Sequence, residues 1–335
     1  ALEGVRFAVD EINRQGGIAG RQVEVVPFDD QGDPFRAQQG VDRLATQGIR
    51  FIVSGSSSAG ALGQVPRAYE NRVVMITPLG SDPAITQRNL EYEGDPWFFA
   101  NIPSNDDLGR SIARYAAQEL NVRQVAVFVR DDAYGLTIAA AFEDEARAHG
   151  MTVTRRVTYP VTAQDFSSDL AVVLASRPDA IFLSGYAPDS ALIARQARML
   201  GFTGPLLATN PVMSPQYVGT AGAAAQRTFV STALNVGQQR SEAEERFWSD
   251  WRASHGTDPN VYQLGSYDSV YLLKQAIEQA GFDPGAVRSW LVQVKEYPGV
   301  SGTITFNRDG SVTKPVYIVE HKTGRWEYVG TIYGR

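Results

Sequence analysis

The stretch Phe51–Ser81, FIVSGSSSAGALGQVPRAYENRVVMITPLGS, decides the fold class. It holds two short apolar runs, Phe51-Ile52-Val53 and Val73-Val74-Met75-Ile76. Each ends in a turn-forming segment with Gly and Ser: Ser54-Gly55-Ser56-Ser57-Ser58 after the first and Thr77-Pro78-Leu79-Gly80-Ser81 after the second. Strands of a parallel sheet are buried on both faces, so they read as continuous apolar runs, with Gly/Ser turns after their C-terminal ends. The stretch therefore predicts an α/β fold built on a parallel sheet.

The same alternation extends outward in both directions. Upstream, Leu2, Val5, Val9 and Ile12 mark one face of a helix that ends at Gly16-Gly17. The β-rich run Val23-Glu24-Val25-Val26 predicts a strand leading into an acidic turn at Asp29-Asp30. Downstream, the pattern restarts after Pro103-Ser104-Asn105. Leu108, Ile112, Tyr115 and Ala116 mark a helix, and Val125–Val129 a strand ending at Asp131. A helix from about Thr137 to His149 and a strand ending at Thr158-Tyr159 follow. Ile181-Phe182-Leu183 runs into Ser184-Gly185-Tyr186, Ile193, Ala197 and Leu200 mark a helix, and Leu206-Leu207 ends at Thr209-Asn210. These are two successive βα series, each large enough for a doubly wound domain.

A third block behaves differently. Ala243, Phe247 and Trp251, then Val270, Leu273 and Ile277, mark amphipathic helices, but strands are scarce until Ser301–Phe306 and Pro315–Val319. Helices without a sheet of their own must cover another, so this block is expected to return to the first series. The chain then crosses near Asn101–Ser104, Thr232–Asn235 and Val312–Pro315. That gives a first lobe of residues 1–103 and 235–313 and a second of 104–234 and 314–335. Three crossings make a hinge, and a hinge between two α/β lobes makes a closing cleft.

Composition narrows the function. The chain has 335 residues, 43% hydrophobic and 20% charged, the profile of a globular protein with ample core. Its 31 basic and 37 acidic residues form no basic concentration, which argues against nucleic acid and against adsorption to anionic lipid. There is no cysteine, which removes thiol catalysis and thiolate metal sites. No apolar run approaches the ~20 residues needed to span a bilayer, so no membrane insertion is expected. The three histidines, His149, His255 and His321, fall at two helix ends and in a hairpin-like tail, in no metal-ligand or nucleophile spacing. The Gly-rich stretch Gly55–Gly63 lacks the order of a phosphate-binding loop. Asp29-Asp30 and Asp131-Asp132 are adjacent acids that read equally well as solvated turns. No enzyme, metal or cofactor is implied.

Six segments carry a resemblance. DEINRQGGIAGRQVEVVPFDDQGDP (Asp10–Pro34) and MITPLGSDPAIT (Met75–Thr86) resemble type I periplasmic solute-binding proteins of ABC transporters, the branched-chain amino acid (leucine/isoleucine/valine) family. So do Asp131–Gly135, Gln164–Ser167, Arg195–Gly201 and Gly265–Asp268, collinear over nearly the whole chain. The resemblance implies two Rossmann-like lobes joined by a three-crossing hinge, a periplasmic or lipid-anchored extracytoplasmic location, and an ABC permease as membrane partner. The alternative on the same fold is the sensing domain of a receptor or regulator. The family begins with a central strand before its first helix, whereas this chain opens at the helix. The resemblance therefore leads one to expect either residues upstream of Ala1 or another segment in that sheet position, the former preferred because an empty central position would expose backbone groups on both neighbours.

Open α/β sheets bind ligands beyond the carboxyl ends of their strands. Ser57, Ser58, Gly80 and Ser81 lie there, and hydroxyls with helix-start amides suit a carboxylate. A Ser-rich turn that merely caps the next helix is the other reading of the same residues. In the family the positions matching Ser58, Gly80 and Ser81 hold a ligand carboxylate. Aromatics at the positions of Tyr134 and Tyr186 in the second lobe and Tyr262 in the first line the pocket; a core tyrosine is the plainer reading of Tyr134. Tyr267 and Asp268 are expected to start a helix, where Asp268 is either a ligand contact or a dipole-favoured charge. Asn210 stands where leucine-type members carry a glutamate that pairs with the ligand ammonium. An amide cannot neutralise a buried cation. The expected ligand is thus a small carboxylate with a neutral or aromatic remainder, or an amino acid held differently, unless Asp131, Asp189 or Asp268 substitutes for the missing acid.

Overall fold

The computed structural model describes residues 1–237 and 240–332. From the N-terminus come α1 (Leu2–Arg14), α2 (Pro34–Thr46), β1 (Phe51–Val53), α3 (Ser58–Asn71), β2 (Val74–Thr77), α4 (Pro83–Gln87) and β3 (Phe98–Ala100). Next are α5 (Asn105–Gln118), β4 (Gln124–Arg130), α6 (Ala133–Ala148), β5 (Thr152–Tyr159), α7 (Ser167–Ala175), β6 (Ala180–Ser184), α8 (Ala187–Met199), β7 (Leu206–Thr209), α9 (Pro215–Ala221) and β8 (Thr228–Thr232). The chain ends with α10 (Glu242–His255), α11 (Val261–Ala280), α12 (Pro284–Leu291), β9 (Tyr297–Gly299), β10 (Gly302–Phe306), β11 (Val312–Thr313), β12 (Val316–Lys322) and β13 (Arg325–Ile332). These elements form two units, one of residues 1–104 and 240–314, the other of 105–239 and 315–335.

In the first unit, β1, β2 and β3 pair in parallel in that order. β2 is buried throughout, as its VMIT run requires. α11 packs on β1 and β2, and α1 packs on α11. At that crossing a Cβ on Gly4 would collide with the Gln263 carbonyl, so glycine permits the approach. Asn260 caps α11 and Gln263 returns a bond to the Asn260 amide, a reciprocal cap that fixes where the helix starts. α11 therefore starts at Val261, not near Tyr267, and Asp268 is a mid-helix residue rather than a helix-start charge. β9, β10 and β11 make a small antiparallel sheet, with Phe306 packed on Phe99 at 5.1 Å between ring centroids.

The strand expected at Val23–Val26 does not form: it has no ladder partner among the described residues. The Asn13 side chain takes over the hydrogen bonding at its start, donating Nδ2 to the Val23 carbonyl (2.9 Å) and accepting the Val23 amide (2.8 Å). Asn13 thereby presents one N–H and its carbonyl oxygen side by side, which is what a neighbouring strand would supply to one residue. The Asp29-Asp30 turn does form, each carboxylate accepting an amide two residues ahead.

The second unit holds a seven-stranded sheet in the order β13-β12-β8-β7-β6-β4-β5. β4 to β8 run parallel, and β12 and β13 add an antiparallel edge. β4 lies between β5 and β6, and Val125–Val129 are buried without alternation. Phe142 on α6 stacks on Phe182 of β6 with centroids 4.0 Å apart, at the centre of this unit's core. After β4 the chain moves outward to β5, then returns across β4 to place β6 on its other side. The reversal of direction makes the β4/β6 boundary the topological switch point, where open α/β sheets form their binding crevice. Among the described residues no helix is long and apolar enough to cross a membrane.

Candidate ligand site

In the first unit, adjacent strands β1 and β2 bring the serines together. Ser57 precedes α3 as its N-cap, but its side chain makes no capping bond to the first amides of this 14-residue helix. Ser58 is buried, and its Oγ accepts the Ser81 amide at 3.3 Å. The loop is held from behind. The Ser54 hydroxyl donates to Gln64 Oε1 (2.6 Å), Gln64 donates to the Ala37 carbonyl (3.2 Å), and Ser56 donates to Asp30 (2.5 Å). Thr77 Oγ1 accepts the Gly80 amide at 2.9 Å. Any Cβ at Gly80 would fall 2.7 Å from Ala61 Cβ, so glycine is needed for the second turn to lie against α3. Tyr262 is half-buried in the first turn of α11, and one turn further on Gly265 passes close to Pro78.

Asp268 is 1% exposed and its carboxylate is taken up within the unit. It accepts the amides of Val300 and Ser301, each at 2.8 Å, and the Ser301 hydroxyl. Lys314 donates to Ser301 Oγ at 2.6 Å and is buried beside the same carboxylate. Burial pushes the Lys314 ammonium down to about 8, with the Asp268 charge opposing the fall. Burial likewise raises the Asp268 carboxyl, while Lys314 and the three donors pull it back.

In the second unit, Tyr134 and Tyr186 flank the switch point. Tyr134 lies in the first turn of α6, because α6 begins at Ala133 under an Asp132 cap rather than at Thr137. Tyr186 is the N-cap residue of α8. Their rings are 4.9 Å apart at centroids, and the Tyr134 hydroxyl shares a short hydrogen bond with Thr209 Oγ1 at the end of β7. Asn210 follows directly, 2% exposed, its Oδ1 accepting the Ala233 amide at 3.3 Å.

A charged cluster beneath these tyrosines was not singled out from the sequence. Arg130, the last residue of β4, bonds Asp132 (2.7 Å) and Asp189 (3.2 Å) and lies 5.1 Å from the Tyr186 ring centroid. The Tyr159 hydroxyl donates to the other oxygen of Asp189. Burial disfavours the Arg130 charge, but the Asp132 bond and the two carboxylate charges outweigh it and raise its pKa. Burial and Asp132 hold the Tyr186 phenol well above its ordinary range, so it is a neutral hydroxyl. A Cβ on Gly185 would overlap both Asp189 and the Tyr159 hydroxyl. Asp189 is thus already occupied, and Asp131 is exposed. The one sequence signal for this cluster was a charged residue closing an otherwise apolar strand, QVAVFVR.

The family model described as periplasmic binding protein matches residues 1–325. The chain is similar to the Leu/Ile/Val-binding protein BraC3 of Rhizobium johnstonii, at 27% identity over 312 residues, 92% of this chain and 83% of that protein. It is similar in structure to a leucine-binding protein, LivK, from Thermotoga maritima, with a TM-score of 0.91 and 28% identity over 99% of this chain and 93% of that one. A substrate-binding protein of an ABC transporter from Desulfitobacterium hafniense, solved with Leu, matches with a TM-score of 0.84 and 27% identity over 98% of this chain and 95% of that one. These relatives are binding proteins rather than enzymes, and the resemblance read from the six segments is borne out. The chain belongs to the periplasmic binding protein family.

Proposed function

We propose that this protein is an extracytoplasmic solute-binding protein that captures a small carboxylate-bearing molecule and delivers it to an ABC permease without chemical change. The observation that carries the reading is the meeting of Ser58 and Ser81 on adjacent strand ends at the head of α3, whose N-cap side chain makes no capping bond to the helix amides. Several donors converging there, with the positive end of a helix dipole behind them, favour an anion. Ser57, Ser58, Gly80, Ser81 and Tyr262 form the first unit's contribution. Tyr134, Tyr186 and Asn210 form the second's, at the strand ends where α/β sheets bind ligands. Asp268 adds stability rather than a contact, since Ser301, Val300 and Lys314 already use it.

Mechanistically, a ligand touched by both units gains its full interaction energy only when they close on it. Binding then shifts an open-closed equilibrium toward the closed state. The permease would read that closed state. The names of the relatives make branched-chain amino acids the first ligands to test, and the carboxylate cradle makes other small acids the second.

A thermal-shift screen pairing each acid with its carboxamide, confirmed by calorimetry, tests the reading. Acids should bind one to one, remain unchanged after incubation, and exceed their amides by about tenfold or more, as a lost charge-assisted bond would cost. Ser58→Ala and Ser81→Ala should each erode that preference. Equal affinity for acid and amide, or consumption of the bound molecule, would overturn it.

A further inference from the structure

Asn210 carries a buried donor with nothing to receive it. Its Oδ1 is fixed by the Ala233 amide, which needs an acceptor, so the side-chain orientation is determined and Nδ2 faces the other way. That Nδ2 has no hydrogen-bond partner among the described residues, and the residue is 2% exposed. Ser190 and His321, which also carry buried polar atoms with no geometric hydrogen bond among the described residues, lie within a helix and within a strand. Asn210 instead sits at the strand ends, directly after the Thr209 that bonds Tyr134. Leaving a buried N–H unpaired is costly, so such a group points to an acceptor that arrives with a ligand.

The surrounding charges sharpen this. An ammonium offers donors only and cannot satisfy an amide N–H. Two acids of the second unit near these strand ends are already engaged. Asp189 is bonded by Arg130 and Tyr159, Asp132 by Arg130 and the Gly135 amide, and Asp131 is exposed. We infer that Asn210 selects the ligand's second polar group, donating Nδ2 to a hydroxyl or carbonyl oxygen, so that the preferred solute is a hydroxy or oxo acid rather than an amino acid. The inference rests on the carboxylate reading of the site and names the chemistry at its other end.

Four acids of one skeleton test it, differing only at C2: 4-methylpentanoate, 2-hydroxy-4-methylpentanoate, 2-oxo-4-methylpentanoate and leucine. Calorimetry on the wild-type chain should rank the hydroxy and oxo acids about tenfold or more above the other two, the size expected for one buried hydrogen bond. Asn210→Ala should bring them level with 4-methylpentanoate, while Asn210→Asp should lower all three non-amino acids and raise leucine. Leucine binding as tightly as the hydroxy acid in the wild type would overturn the assignment. So would an Asn210→Ala variant, folded by circular dichroism, that weakens all four by the same factor. The carboxylate reading fails separately, when 4-methylpentanamide binds as well as 4-methylpentanoate. Failure of all four acids to bind would overturn both.

Discussion

At the scale of single residues, the distinction between a ligand contact and a packing charge turns on what already occupies the group. Asp268 reads in sequence as a helix-start charge or a ligand partner, but residues from 300, 301 and 314 converge on it from more than thirty positions away. No local pattern encodes such a convergence. Asn210 differs in the opposite sense: the sequence shows an amide where an acid was expected, and no described residue accepts from its Nδ2. The Asp268–Lys314 pair supplies a direct check. Lys314→Met should destabilise the chain by about 3–5 kcal/mol, because it strands a buried carboxylate. Adding Asp268→Asn removes the charge but turns an N–H toward the Val300 or Ser301 amide, so it should recover only part of that loss, as groups in one network do not contribute additively. Denaturant unfolding of the two single variants and the double variant reads the coupling, and strict additivity would show that the two charges do not interact.

At the scale of elements, the sequence reveals strands through burial on both faces and helices through their caps, and it misleads where a side chain replaces a ladder. β1, β2, β4 and β6 were legible as apolar runs ending in polar turns. Val23–Val26 has the composition of a strand, yet Asn13 satisfies its first residue and no partner strand lies beside it among the described residues. Asp131-Asp132 read equally well as a solvated turn or as paired acids, and the structure gives Asp132 a different part, capping α6 and holding Arg130. The cluster it belongs to was not legible because Asp189 lies 59 residues from Arg130 along the chain. The cap and the ion pair can be separated. Asp132→Ala removes both and should cost about 1–2 kcal/mol, while Asp132→Asn keeps the cap and should cost less than half as much. Thermal unfolding compares them, and equal losses would mean that the cap contributes nothing.

At the scale of the whole molecule, the chain belongs to its family through a match over residues 1–325, and its α/β class was readable from one stretch of strand, turn and strand. The candidate site was legible where residues cluster in sequence, as at Ser57-Ser58 and Gly80-Ser81. It was illegible where distant strand ends supply a supporting layer, as with Arg130, Tyr159 and Asp189. The central claim is that one solute engages residues of both units. Calorimetric titration of the preferred acid into the wild type, Ser81→Ala and Tyr134→Leu tests it most directly, with thermal unfolding as the control for folding. The account predicts that both substitutions weaken binding by about tenfold or more while the stoichiometry stays at one. Full affinity in either folded variant would contradict it, leaving a site confined to a single unit.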